Sequence, residues 1–450
     1  MRSLLRIALA GVALIACNSD QPPGPNSTED QVTANAFGPG PTQYVTVPVQ
    51  VAPAFATAPF NVTRSLTIPS GFSIKVFARV SGARFLAVTP DGRTLVSNPG
   101  TGIITLLTPN GTGLPLSSTF VSGLAKPQDM VFYQSGSTMY LYVSEKNRVS
   151  RAVYVNGDLT MRSRQVVVSG LPDASSPGLG GQYGHELKNI AIDPLTAKLY
   201  VSIGSTCNLC VEDTQSNPKR ASIYVYNVDG SGGRLFAQGL RNAEGLAFVP
   251  TLSILWVVVN NRDNIPYPFN DASGNYGKVL PSYVDDHPPE LFTSVKDGGN
   301  YGWPFCNSNP NTPAGVDFMP LDNDFDSNKN GTVNCATMTK ATKGIPAHSA
   351  PLGLTFVQRT KFPTYYRRGA MVALHGSWNR TTFQGGKIAY FPWDPSQRPG
   401  PQYNFVSGWL NGNNYWGRPV DTAVDSTGAL LISDDYSGTI YRLWQTGTIP

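Results

Sequence analysis

The chain has 450 residues, of which 14% are charged and 40% hydrophobic, with 45 glycines and 37 prolines. The Ala/Glu/Lys/Leu bias of a coiled coil or helical bundle is missing, and there is enough apolar material to exclude disorder throughout. A net charge of only +5, from 34 basic and 29 acidic residues without a Lys/Arg-rich run, argues against nucleic acid as a partner.

At the N-terminus, Arg2 and Arg6 flank the start of an apolar stretch, Ile7 to Ala16, that ends at Cys17. A basic start followed by about ten apolar residues reads as a secretion signal, too short to span a membrane. Leu14-Ile15-Ala16-Cys17 resembles a bacterial lipobox, in which the cysteine is lipidated after cleavage. An ordinary cleaved signal with a coincidental cysteine is the alternative. Residues 18–60, rich in Pro, Thr, Ser, Asn and Ala, read as a tether, and 61–450 as the folded domain. Asn18 is similar to the residue that sends lipoproteins to the outer membrane. The expectation is an exported protein, held at the bacterial cell envelope by its lipid alone, on the outer membrane or the periplasmic face.

From residue 83 onward a unit recurs: polar entrance, apolar strand, turn, second apolar strand. The copies begin at Ala83, Lys126, Leu187, Ala243, Ser349 and Arg418, and four end in an apolar run closed by serine: Ser97, Ser144, Ser202 and Ser433. Each reads as a β-hairpin around a Gly, Pro or Asp turn. A prior of about 150 residues per domain suggests three domains. Six similar hairpins instead predict a single all-β fold, a six-bladed β-propeller, more readily than a two-sheet sandwich. The strand from Phe72 is placed to complete the last blade. The longest insertion, about 261–348, separates units four and five.

Apart from Cys17 there are four cysteines. Disulfides Cys207–Cys210 and Cys306–Cys335 are the most economical of three connectivities in an oxidising compartment, and a four-thiolate zinc site is the competing reading. Cys210 is followed by Val211 rather than His, which excludes a covalent c-type haem at that pair. Asp322 to Gly331 places oxygen side chains at alternate positions. Asp326, Asn328 and Asn330 match the start of a calcium loop, but Thr337 stands where the bidentate Glu belongs. Both a second calcium and a solvated loop pinned by Cys335 are open.

In a propeller the entrances of the inner strands converge on one face near the axis. The entrance residues here include Arg84, Lys126, His185 with Lys188 and Asn189, Arg241 with Asn242, His348 and Arg418. Every unit supplies a cationic or ionisable group, so an anionic small molecule is expected on the axis.

At these residues a family becomes visible. Gly184-His185-x-x-Lys188-Asn189-Ile190, Gly239-Leu-Arg241-Asn242, Asp297-Gly-Gly-Asn-Tyr-Gly-Trp-Pro304 and Pro346-Ala-His348 occur in order. They are followed by Ala373-Leu-His375-Gly-Ser-Trp378-Asn-Arg380, Gly417-Arg418-Pro-Val420 and Ser433-Asp-Asp435. Together they resemble the glucose/sorbosone dehydrogenases, the soluble-type quinoprotein sugar dehydrogenases, most closely the sorbosone dehydrogenase-like branch, over about residues 66–445. The resemblance implies pyrroloquinoline quinone (PQQ) beside Ca2+ on the propeller axis. It implies His185 as the base that takes the proton from the anomeric hydroxyl while hydride leaves C1, and Arg241 over the quinone oxygen. It implies Lys188, Asn189, Asn242 and Arg418 as holders of the cofactor, with Arg84, His348, His375 and Trp378 as further candidates. Calcium would be held by oxygens of the Asn260-Asn261-Arg262-Asp263 turn, the hard ligands it requires.

Two positions depart from the family pattern: Asn261, where glycine is common, and Glu186, where a small residue is usual. Electrons would pass to a separate acceptor, a cytochrome or a quinone. Two other classes compete: a non-catalytic propeller that binds carbohydrate or protein, and a propeller lactonase. His185 and Arg241-Asn242 favour the dehydrogenase over the lactonase.

Overall fold

A computed structural model describes residues 40–394 and 396–448. The signal segment and Cys17 lie outside the described residues. The strands form because apolar residues alternate over short runs. In Phe72–Arg79 burial switches at every residue, with Phe72, Ile74, Val76 and Ala78 inward. Six antiparallel sheets of four or more strands result, each led by one of the six predicted hairpins. Their innermost strands are Leu86–Val88, Met130–Ser135, Ile190–Asp193, Asn242–Phe248, Pro351–Phe356 and Pro419–Val424, and the sheets they lead are here called blades I to VI.

The ring closes as expected. Phe72–Arg79 pairs antiparallel with Thr439–Gln445, running from Phe72↔Gln445 to Arg79↔Thr439, and so supplies the outer strand of blade VI. The core is correspondingly a ring. One apolar cluster fills each interface between neighbouring blades, for example Leu95, Ile104 and Phe120 against Met130, Leu141 and Val143 between I and II. Blades buried on both faces explain why the second strands are continuously apolar rather than alternating.

Three of the four serines that close the repeated hairpins join blade to blade. Ser97 Oγ accepts from Phe85 N (3.0 Å) and donates to Gln128 O of the next blade (2.6 Å). Ser144 Oγ accepts from Asp129 N (2.9 Å) and donates to Lys188 O (2.5 Å). Ser433 does the same between Asp421 N and Arg84 O, across the closure. Ser144→Ala removes a buried donor and acceptor at once, so a loss of about 1–3 kcal/mol in urea unfolding is expected. Ser202→Ala should cost less, because the bonds of Ser202 Oγ to Asn189 N and O stay within its own blade.

The folded body begins earlier than residue 61. Tyr44–Pro48 pairs with Ser65–Pro69 at the outer edge of blade V, and Val49 and Phe60 enter the cluster around Trp409 and Tyr441. Residues 40–60 are therefore part of the domain rather than tether; their short strand gains its meaning only from a partner 21 residues on. Among the described residues no helix is long and apolar enough to cross a membrane. Disulfides join Cys207 to Cys210 and Cys306 to Cys335.

The alternating Asp/Asn segment is not a calcium loop. Phe325–Asn328 is a short helix, capped by Asp324, whose side chain accepts from Asp326 N and Ser327 N. Asp326 and Asp324 both bind the buried Arg262 guanidinium. Asn328 closes the turn through Val333 N and O, and Asn330 is exposed. The oxygens proposed for a cation thus serve the packing of the insertion onto blade IV.

Candidate functional site

Antiparallel pairing puts the start of each inner strand beside the end of the second strand. The entrance residues and the segments Asn98–Gly100, Asn260–Asp263, His375–Asn379 and Asp435–Tyr436 therefore share one face. Two adjoining cavities open there, of about 150 and 530 Å³. The first is bordered by His185, Arg241, Asn242, Asn261, Asp263, Glu290, His348, Trp378 and Asn379, the second by Arg84, His375, Arg418 and Asp435. A larger cavity of about 670 Å³ occupies the opposite face, with apolar walls such as Val88, Phe132 and Phe356, remote from these groups.

His185 is held by one nitrogen. Its Nδ1 lies 2.8 Å from Ser205 O and 3.0 Å from Ser205 Oγ. A main-chain carbonyl only accepts, so Nδ1 carries the proton and Nε2 keeps a bare lone pair. Burial, and after it the positive charge of Arg241, push the pKa of His185 down to about 4. The ring is therefore a neutral base at ordinary pH.

Arg241 is 4% exposed and fully engaged. Nη1 donates to Asn261 O (2.7 Å), Nη2 to Asn208 Oδ1 (3.0 Å) and Asp263 Oδ2 (3.4 Å), and Nε to Asn208 O (3.3 Å). His348, also buried, is the electrostatic opposite of His185. Its Nε2 faces Val284 O (2.8 Å) and His287 O (3.2 Å), and its Nδ1 faces Asp263 Oδ1 (3.3 Å). Burial opposes its charge, but the bond to Asp263, the charge of Glu290 and the acceptor at Nε2 raise its pKa. Two histidines in one cavity are thus shifted in opposite directions by their surroundings.

In the second cavity Asp435 takes Arg84 Nη1 on one oxygen (2.9 Å) and His375 Nε2 on the other (2.8 Å). Despite burial, these bonds hold the Asp435 carboxyl well below the usual range. Arg418 donates to His375 O (3.1 Å) and Gly376 O (2.7 Å) and lies over the Tyr415 ring.

The cationic groups expected at the mouth are largely paired with carboxylates. Arg84 meets Asp435, Lys126 meets Glu186, and Arg241 and His348 share Asp263. Lys188 borders neither cavity. It is fully buried against the Tyr183 ring, donates to Glu186 O, and is pushed down to about 7 by burial. Glu186 is also turned out of the cavities, toward Lys126 and Ala174 N, so its departure from the family pattern does not narrow the pocket. Arg262 points into the insertion. Trp378 stands at the rim, 64% exposed.

Residues missed in the sequence are Asp435, Glu290 and Asn208. Asp435 alone had a signal, as the end of the Ser433-Asp-Asp435 motif.

Several buried polar atoms near the axis lack a partner: both amide atoms of Asn189, Gln128 Oε1, Arg84 Nε and, in the first cavity, both amide atoms of Asn379. Three of these atoms are donors and three are acceptors, and of the four residues only Asn379 and Arg84 border the cavities. Buried polar groups are nearly always satisfied, so Arg84 Nε and the Asn379 amide fit a polar ligand, and the carboxylates and carbonyls of PQQ suit the donors among them. Calcium fits less well. The Asn261 carbonyl already binds Arg241, and Asp263 accepts from Arg241 and faces His348. Glu290 is pushed up to about 7 by burial and accepts from Asn261 N. A divalent ion would have to displace the Arg241 guanidinium from these oxygens. Among the described residues no three His, Cys, Asp or Glu side chains converge as a metal cluster. As arranged, these donors do not fit calcium.

The TrAA12-like family profile matches residues 66–446. The chain belongs to that family. A relative from Borreliella burgdorferi, described only as an uncharacterized protein, is 25% identical over 390 residues, covering 85% of this chain and 92% of its own. The PQQ-dependent pyranose dehydrogenase of Coprinopsis cinerea is 25% identical over 338 residues, covering 64% of this chain but 42% of the fungal protein. This TrAA12-like chain therefore spans less than half of that relative. The holo PQQ domain of the Coprinopsis cinerea pyranose dehydrogenase superposes with a TM-score of 0.69 at 21% identity, covering 84% of this chain and 97% of the domain. That likeness establishes the shared propeller.

Proposed function

We propose that this TrAA12-like chain oxidises a pyranose or a related aldehyde sugar at C1, to the lactone or acid, with PQQ as its cofactor. The observation that carries the reading is His185, pinned through Nδ1–H to Ser205 O with Nε2 bare in a cavity it shares with Arg241. When bound, PQQ supplies a two-electron acceptor for hydride. Arg84 and Arg418 would hold its acid groups, and Asn242 and Asn379 would offer amides to its carbonyls; Asn189 is buried and borders neither cavity. His185 Nε2 accepts the proton of the C1 hydroxyl, and the Nδ1–H bond to Ser205 O supports the charge that forms on the ring. Arg241, anchored by Asn208 and the 260–263 turn, sets a fixed positive charge beside the reacting atoms without having to reorganise. Calcium is left out of this reading for the reason given above.

His185 and Arg241-Asn242, which border one cavity, favour this over a lactonase. The remaining parts of the proposal rest on sequence: export and lipid anchoring at Cys17, and a separate cytochrome or quinone as electron acceptor. The test is reconstitution with PQQ, with and without Ca2+, followed by a screen of pyranoses with an artificial electron acceptor. Sugar-dependent bleaching of the oxidised cofactor is expected. Tight cofactor binding without reduction by any sugar would instead make this a binding propeller.

A further inference from the structure

Asn208 sits inside the four-residue ring closed by Cys207–Cys210, and it carries more of the site's geometry than any residue named from sequence. Its Oδ1 accepts from Arg241 Nη2 (3.0 Å) and from Asp263 N (2.8 Å). Its Nδ2 donates to Asp263 O (2.9 Å). Its main-chain oxygen accepts from Arg241 Nε (3.3 Å) and from Trp303 Nε1 (3.4 Å). One side chain and its own carbonyl thus tie together blade IV's entrance, the turn after blade IV's second strand, and the insertion. The other end of the ring reaches the base. Ser205 Oγ donates to Cys207 O (2.8 Å), and the same Ser205 holds His185 through its carbonyl and hydroxyl.

We infer that Asn208 is a positioning residue for the His185–Arg241 pair, and that the Cys207–Cys210 disulfide keeps it in register. Only Asn has the needed chemistry. Aspartate lacks the donor for Asp263 O and adds a like charge beside Asp263, and alanine leaves Arg241 short of an acceptor. The disulfide removes most conformations of a short exposed loop, so the amide does not have to order that loop by its hydrogen bonds alone. Without the ring, Arg241 keeps its bonds to the 260–263 turn but loses its second anchor.

The inference rests on the proposed roles of His185 and Arg241, but its first readout needs neither cofactor nor sugar. The His185 ring would be titrated by NMR in the cofactor-free protein, assigned with His185→Ala. The charged groups facing it are Arg241, Asp263, Glu290 and His348. A guanidinium that drifts away relieves a like charge, so in Asn208→Ala and in the Cys207→Ser/Cys210→Ser double variant His185 should titrate about one pH unit higher than in wild type. Cys306→Ser/Cys335→Ser, a disulfide whose cysteines hydrogen-bond neither Asn208 nor Arg241, should leave the value in place.

If the variants fail to fold, wild-type protein treated with a phosphine reductant serves instead. Cys207 and Cys210 are part-exposed, whereas Cys306 and Cys335 are 4% and 5% exposed, so the first bond opens first. In the loaded enzyme, kcat should fall about tenfold in Asn208→Ala with the sugar KM little changed, the split expected for misplaced reacting groups. An unshifted His185 titration in folded Asn208→Ala or in reduced wild type overturns the inference. So does an equal shift on loss of Cys306–Cys335. A shifted titration in a protein that oxidises no sugar would retain the positioning role and reject the proposed activity.

Discussion

His185→Ala should lower kcat with the preferred sugar by about 10³-fold, the scale of a lost general base, while PQQ still binds. The expectation follows from the division of labour within the cavity. His185 contacts the protein through Nδ1 alone, so its removal leaves Arg241, Arg84 and Arg418 and their partners where they are. Stopped-flow reduction of the bound cofactor by sugar checks the rate, and a spectral titration with PQQ checks binding. Loss of both together would make His185 a structural residue.

The same group sets the acid limb of the pH profile. Its folded pKa is depressed from 6.5 to about 4, by burial first and Arg241 second. The base therefore stays neutral well below the ordinary histidine pKa, and activity should persist to about pH 4 before protonation removes it. The sign for stability is the same. Because the unfolded chain takes up this proton first, the contribution of His185 to stability declines as pH falls from about 6.5 toward 4.

Arg241→Ala is the second large effect, an expected loss of about 10²–10³-fold in kcat, comparable to removing a preorganised charge stabiliser. Arg241→Lys should restore little of it. A lysine ammonium is a single point and cannot reach Asn208, Asn261 and Asp263 at once, as the planar guanidinium does. Single-turnover reduction of the cofactor in both variants is the check. Wild-type turnover in Arg241→Lys would show that charge alone, without the fork, is enough.

The two variants also differ in their expected side effects. Loss of Arg241 leaves Asp263 paired only with His348 and frees the Asn261 carbonyl, so thermal stability should fall as well as activity. It also relieves the like charge beside His185, whose titration should rise. That double signature separates it from His185→Ala.

The propeller was legible because its signals are local. Alternation of apolar residues over a few positions, turn residues, and the closing serines repeat within each hairpin, and the same short-range pattern marks the strand at Phe72 that closes the ring. His185, Arg241, Arg84, Arg418, His348 and Asn242 could also be named, because repeat position places strand entrances on one face whatever lies between them, and His375 because of the family resemblance. By contrast, nothing local distinguished Tyr44–Pro48 from a tether, since its partner is Ser65–Pro69. Nor did anything local tell a calcium loop from a helix turned onto Arg262, 62 residues away from Asp324.

The amino-acid sequence by itself determined the architecture, the face that carries the site, and the chemical types gathered there. Tertiary structure alone decided their charge states and partners. It placed Asp435 between Arg84 and His375, buried Lys188 away from the mouth, shifted the pKa values of His185 and His348 in opposite directions, and set Asn208 against Arg241. The physical reason is range: strand formation depends on neighbours a few residues apart, whereas an ion pair or a shifted pKa depends on burial and on charges brought together from distant blades.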